Sequence, residues 1–360
     1  MTHSKAPSAS TGSGFKAAVW RVVRTVILLL ILLLVASIGL VIGRGSPEPE
    51  PSASELALSE GTQAAQTLAE AAAFLEDAAP PAGPDYAALA GMLRLHAIAL
   101  RPGASSPEPT PSAFPAAPSS APASPSASPD TPTPTDLLSG LRNSYTGAFE
   151  AAAVVDAGPA RVLASAATAQ WLGSRTLAAS LGEEPPAIPV PEIKYADDAP
   201  TCPPETTLTA VSGLAGVRTA VLAEQRAAYA YEVVAARSGD PAQLLQRMAQ
   251  HEAAAAVGSA VLTRHCVAEP LPAAAYALDQ VFLADPGPAL RDLEESLVGT
   301  YADLVGMSGP GPVRDWALRQ LVGTAQYSVE SADSVPAGGE PEAFPGINPD
   351  QYPQLSGPGS

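Results

Sequence analysis

The chain has 360 residues, 39 of them proline and 29 glycine, with 46% hydrophobic, 5% aromatic and 15% charged residues and a formal net charge of −17. A chain of this length ordinarily holds two domains, but much of its proline and glycine lies in blocks that cannot pack. The acidic balance excludes nucleic acid as a partner, because neutralising phosphates needs clustered Lys and Arg. Hydrophobicity carried chiefly by alanine, the best helix former and a poor strand former, predicts an all-α fold.

Residues 1–24 hold Lys5, Lys16, Arg21 and Arg24 and no acid, and the run from Thr25 to Gly43 is free of charge. That run predicts a single transmembrane helix over 25–43, since a bilayer core of roughly 30 Å needs about 20 helical residues. The basic flank before it, with Glu48 and Glu50 after it, places the N-terminus in the cytoplasm and all that follows outside. A cleaved signal peptide is the rival reading, given Val35-Ala36-Ser37. A lipid anchor is excluded at that site, because Ile38 stands where the modified cysteine would have to be. Residues 1–44 hold five of the 19 basic residues and none of the 36 acidic ones, which leaves −22 for residues 45–360. Such a charge keeps the exported part off anionic lipid.

Beyond the anchor, 45–53 reads as a proline-rich stalk and 54–101 as a helical pair, the first helix capped by Ser54 and the second carrying Leu89, Met92, Leu93 and His96 at helical spacing. His96 reads as a half-buried packing residue. Residues 102–135 form a disordered Pro/Ser-rich loop with eleven prolines between Pro102 and Pro134. A second helical pair spans 136–182, broken at Gly158-Pro159, and 183–204 is a proline-rich linker. Four helical segments then fill 205–333: Thr206–Arg237, Asp240–His265, Pro288–Gly306 and Pro312–Ala332, with Asp240-Pro241 as a cap signal. The long connection Val267–Gly287 between the second and third suggests a crossover bundle of ferritin-like topology. Residues 334–360 read as a disordered tail.

Cys202 and Cys266 flank the first two of these helices, and an antiparallel pair turning near Gly239 brings both to one end. In an oxidising compartment this predicts a disulfide, with two free thiols as the alternative.

Leu222-Ala223-Glu224 with Tyr229 and Tyr231, His251, the stretch from Leu293-Glu294 to Tyr301-Ala302-Asp303-Leu304, and Ala343-Phe344-Pro345-Gly346 together resemble the actinobacterial ferritin-like domain of unknown function 4439 over about 205–347. The resemblance implies a ferritin-like four-helix bundle and no established activity. The chain departs from the family pattern at Gln225, where members often have histidine, and in a fourth helix that reads GTAQYSVESA where arginine is usual.

A ferritin-like di-iron centre takes a Glu from each of two helices and Glu-x-x-His from each of the other two. Glu224, His251 and Glu294 each lie on an apolar stripe, and Glu224 and His251 are level to within ~4.5 Å when counted from the turn. No Glu-x-x-His occurs in the bundle, the fourth helix offers only Gln320, Thr324 and Tyr327, and Glu294 lies only about six residues into its helix. A di-iron centre is not expected; the three residues are candidates for a single divalent metal or iron, against a buried polar pair of Glu224 with His251, or Glu224 with Arg218 or Arg226. Tyr229, Tyr231, Tyr301, Trp316 and Tyr327 read as core aromatics with wet hydroxyl ends. No phosphate loop, Ser-His-Asp set or nucleophile elbow occurs. The expectation is a membrane-tethered, extracytoplasmic, non-catalytic binding or scaffold protein without a cofactor, with an envelope protein or a second copy as partner. The alternative is a metal-dependent ferritin-like enzyme or storage module using Glu224, His251 and Glu294.

Overall fold

The computed structural model describes residues 50–78, 83–102, 131–190, 202, 213–332 and 342–348. The chain divides into Met1–Pro51, of which residues 50 and 51 are described, and a compact unit Ser52–Ser360 that carries all the described helices. The expected span over 25–43 lies outside the described residues; among those described, no helix is long and apolar enough to cross a membrane.

The described part is all-helical: α1 Ala53–Ala78, α2 Tyr86–Ala99, α3 Pro134–Val154, α4 Ala157–Ser180, α5 Leu214–Ala235, α6 Ala242–Arg264, α7 Gln280–Ala284, α8 Pro286–Met307 and α9 Pro312–Ala332. Consecutive helices pack in pairs, α1 with α2, α3 with α4, α5 with α6 and α8 with α9, while α1 also meets α3, and α8 meets both α5 and α4.

Several boundaries differ from expectation for identifiable reasons. The cap of α1 is Ser52, not Ser54: Glu55 N–H donates to Ser52 Oγ at 3.2 Å and Ser52 N–H to Glu55 Oε2 at 2.7 Å, a reciprocal capping box. Ser54 is buried and gives its hydroxyl to Asp156 Oδ2 at 2.8 Å, tying α1 to the turn between α3 and α4. That turn falls at Val155-Asp156, ahead of Gly158-Pro159, because a proline in the first turn of α4 loses only an N–H that has no helical partner anyway. A second capping box, Thr133 with Asp136, starts α3 at Pro134. The connection 267–287 holds the short helix α7. Helix α6 begins at Ala242, with Asp240 Oδ1 accepting the Ala242 N–H at 3.5 Å.

The two predicted helical sets share one interior. Helix α4 is buried on every side from Val162 to Trp171, the pattern of a central helix. Its Leu163, Ala167 and Trp171 join a core that runs from Leu58 through Val221, Leu262 and Tyr301 to Leu321. Its far end, Leu177 and Ala178, joins a second core with Leu75, Leu93 and Leu141. Arg161 of α4 pairs with Asp303 of α8 at 2.6 Å across the same junction. A small residue permits this closeness: a Cβ on Gly306 of α8 would come within 3.0 Å of the Arg161 side chain.

Parts of the stretches read as linker and tail are fixed. Residues 183–190 lie along the helices, with Ala187 O accepting from Trp171 Nε1 at 3.0 Å, Pro186 O from Arg175 Nη1 at 3.2 Å and Val190 O from Arg319 Nη1 at 2.5 Å. In 342–348, Phe344 and Ile347 are buried, Phe344 meets the His96 ring edge-on at 4.9 Å, and Ser165 Oγ donates to Pro345 O at 2.9 Å. Gly346 has φ +76° and a Cβ there would lie 2.6 Å from Val298 O, so this position requires glycine.

The disulfide forms between Cys202 and Cys266, with Cα atoms 5.6 Å apart and a sequence separation of 64. Cys266 stands at φ +57° immediately beyond α6. Its N–H bonds Thr263 O and that of Val267 bonds Leu262 O, both at 2.9 Å, closing the helix in a Schellman motif where glycine is usual.

A candidate buried polar site between four helices

Glu224 of α5, His251 of α6 and Glu294 of α8 converge, each no more than 2% exposed. His251 Nδ1 lies 2.6 Å from Glu224 Oε2, and His251 Nε2 lies 3.1 Å from Glu294 Oε1. The level match of Glu224 and His251 follows from their similar distances to the α5–α6 turn. Glu294 lies within reach of His251, in a helix that starts at Pro286, two residues before the expected position.

Of the expected partners of Glu224, His251 pairs with it, while among the described residues no ion pair joins it to Arg218 or Arg226. Arg218 donates instead to Ala268 O at 3.1 Å. The cation of the site is Arg247, which no motif in the sequence marks. It grips Glu294 with Nε at 2.8 Å and Nη2 at 2.5 Å, a bidentate contact. The one signal that could have found it is its place a helical turn before His251 on the same stripe of α6. The tyrosines expected to have wet hydroxyls also belong here: Tyr231 OH donates to Glu294 Oε1 at 2.7 Å and Tyr301 OH to Glu224 Oε1. Burial and the facing carboxylates push both phenols upward. The reason is that a buried carboxylate needs several donors, and a phenol brings one without adding charge.

Both ring nitrogens of His251 face carboxylate oxygens, so only the doubly protonated imidazolium donates at both ends. Burial acts to lower its pKa, and the bonds to Glu224 and Glu294 outweigh that and raise it. Burial likewise acts to raise the Glu294 carboxyl, and Arg247 and His251 hold it down to about 2. Two acidic side chains thus meet a guanidinium and an imidazole in one buried cluster. In this arrangement both His251 nitrogens are taken up by carboxylates and Arg247 grips Glu294 through Nε and Nη2, so the side chains of the cluster satisfy one another. Among the described residues no group of three or more His, Cys, Asp or Glu could hold a metal ion.

Beside the cluster lies a cavity of about 330 Å³, walled by α6 and α9 and reached by Ile188 of the fixed 183–190 segment. Gln320, Thr324 and Tyr327 of α9 line it, as do Glu224, Arg247 and His251. The Arg247 guanidinium sits 4.0 Å from the centre of the Tyr327 ring.

His96 is fully buried in a separate place. Its Nε2–H donates to Ala343 O at 2.6 Å, which leaves Nδ1 to accept from Gln170 Nε2 at 3.3 Å. Burial lowers its pKa to about 4.

Residues 216–349 match the model of a family described as Domain of unknown function (DUF4439). No curated protein and no solved structure matches the chain.

Proposed function

We propose that this chain is a membrane-tethered, extracytoplasmic helical protein whose C-terminal helices form a ferritin-like bundle of the actinobacterial kind, serving a non-catalytic binding or scaffold role in the cell envelope. The carrying observation is the cluster of Glu224, Glu294, Arg247 and His251, in which each buried charge is met by an opposite one. In a ferritin-like bundle the facing side chains of the helices are where metals are held. In this chain a guanidinium and an imidazolium take the positive role, so the interior is organised for register and shape. The anchor sequence supports export, and so does the Cys202–Cys266 bridge, since such bonds persist outside the cytoplasm.

Metal analysis of the full chain in detergent, with Glu224→Ala beside it, tests the central reading. The expected result is no stoichiometric iron, manganese or zinc in either protein. Metal bound by the wild type and lost in the variant would establish instead the enzyme or storage reading that the convergence of Glu224, His251 and Glu294 invites. Thiol labelling from outside intact cells after reduction checks orientation; protection of both Cys202 and Cys266 would refute export.

A further inference from the structure

Among the charged groups that wall the cavity between α6 and α9, one has no counterpart. Glu224 accepts from His251 and Tyr301, and Glu330 accepts from Arg175 at 3.1 Å and from Gln326 at 2.7 Å. Arg247 is spent on Glu294 and Gln250. Arg319 differs: its Nη1 donates to Val190 O, a neutral acceptor, and among the described residues no carboxylate pairs with it. Its Nε and Nη2 are left without a protein acceptor, and together they form an edge that matches the two oxygens of a carboxylate. The contact with Val190 also holds the cation in place, because residues 183–190 are themselves fixed by Trp171 and Arg175. A group ordered before its ligand arrives loses little freedom on binding.

Neutral donors stand on the same helix. Thr324 is 4% exposed, lines the cavity and has no side-chain hydrogen-bond partner among the described residues, and half-buried Gln320, one turn before it, is likewise unengaged. Both can donate to an oxyanion. Ile188, Ala254, Val257 and Trp316 add an apolar wall. An incoming cation meets no carboxylate free to pair with it, and a neutral ligand leaves Arg319 unmatched. A dianion brings a second negative charge beside Glu224 and Glu330. We propose that this cavity binds the carboxylate end of a small organic acid of single negative charge, its oxygens on Arg319 and Thr324 and its apolar part against Ile188 and Val257. The cavity opens to solvent, so it selects the charged end and the part beside it, not the length of the ligand. This names a ligand class for the non-catalytic binding role proposed above and rests on that reading.

Calorimetry and ligand-detected NMR on the full chain in detergent at neutral pH test it, with benzoate and butyrate as probes and benzamide, benzylamine and inorganic phosphate as neutral, cationic and multiply charged comparators. At least one acid is expected to bind saturably at one per chain, with benzamide weaker than benzoate by about tenfold. Arg319→Gln, which removes the charge, is expected to weaken the acid about tenfold with thermal unfolding still cooperative. Gln320→Glu is nearly isosteric and adds a negative charge to the wall; a similar loss is expected, which decides the matter if Arg319→Gln does not fold. Binding of benzamide, benzylamine or phosphate as tight as that of the better acid overturns the proposal, as does acid binding that neither variant weakens. Metal content measured on the same sample separates the readings: a metal-free protein that binds no acid defeats this inference alone, and a metal-loaded one that binds none defeats both.

Discussion

Two buried histidines in this molecule have their pKa values moved in opposite directions, and their neighbours decide which. His96 faces a carbonyl and an amide, so burial keeps it neutral and lowers its pKa to about 4. His251 faces two carboxylates and is raised. Between pH 6.5 and about 4 the unfolded chain protonates His96 and the folded one does not, so this group's contribution is complete above pH 6.5 and is lost as pH falls through that window. His96→Gln is therefore expected to flatten the acid limb of stability, measured by urea midpoints from pH 7 to 4, by roughly 3 kcal/mol across the window. The raised pKa of His251 acts the other way: its contribution is present below the unfolded value and is lost as pH rises through the folded one. At Arg247 the expected effect is larger in kind. Arg247→Ala leaves Glu294 buried with only His251 and Tyr231 as donors, and denaturant unfolding should show a loss of about 3–5 kcal/mol.

Single residues also fix where the helices begin and end. The Thr133–Asp136 box starts α3 directly after the proline-rich loop, because it satisfies N–H groups that the first turn of a helix leaves open. Cys266 occupies a left-handed position that glycine would take more easily, and the bridge to Cys202 is the reason for its presence. In the chain-entropy account a closed loop of 64 residues contributes roughly 4 kcal/mol, so Cys202→Ser should lower the unfolding free energy by that order in denaturant titrations. Helix α4 shows the limit of reading elements one at a time. Its run Val162–Trp171, rich in alanine, was legible as a helix, but alanine does not mark a face, and so its central position was not legible.

At the scale of the molecule, the family-matched stretch 216–349 packs against helices that lie outside it. Its α8 packs on α4, Arg314 of α9 is fully buried and donates to Ala152 O and Val155 O at the end of α3, and Phe344 rests on His96 of α2. Residues 213–349 produced alone are expected to show no cooperative thermal unfolding by circular dichroism, whereas 52–360 should melt in one transition. Ending the chain at residue 341 removes Phe344, Ile347 and the acceptor of His96, and should lower the melting temperature by on the order of 10 °C.

The sequence by itself determined the helical class, the disulfide ends and the approximate level of Glu224 and His251, because periodicity and counting along a helix are local properties. Only the tertiary structure decided that the two helical sets share one interior, that residues 342–348 dock on it, and that Arg247, Tyr231 and Tyr301 complete the polar cluster. Those outcomes depend on which faces meet across long separations in the chain. An alanine-rich helix presents nearly the same surface on every side, so its partners are chosen by packing and by the buried charges that must be paired.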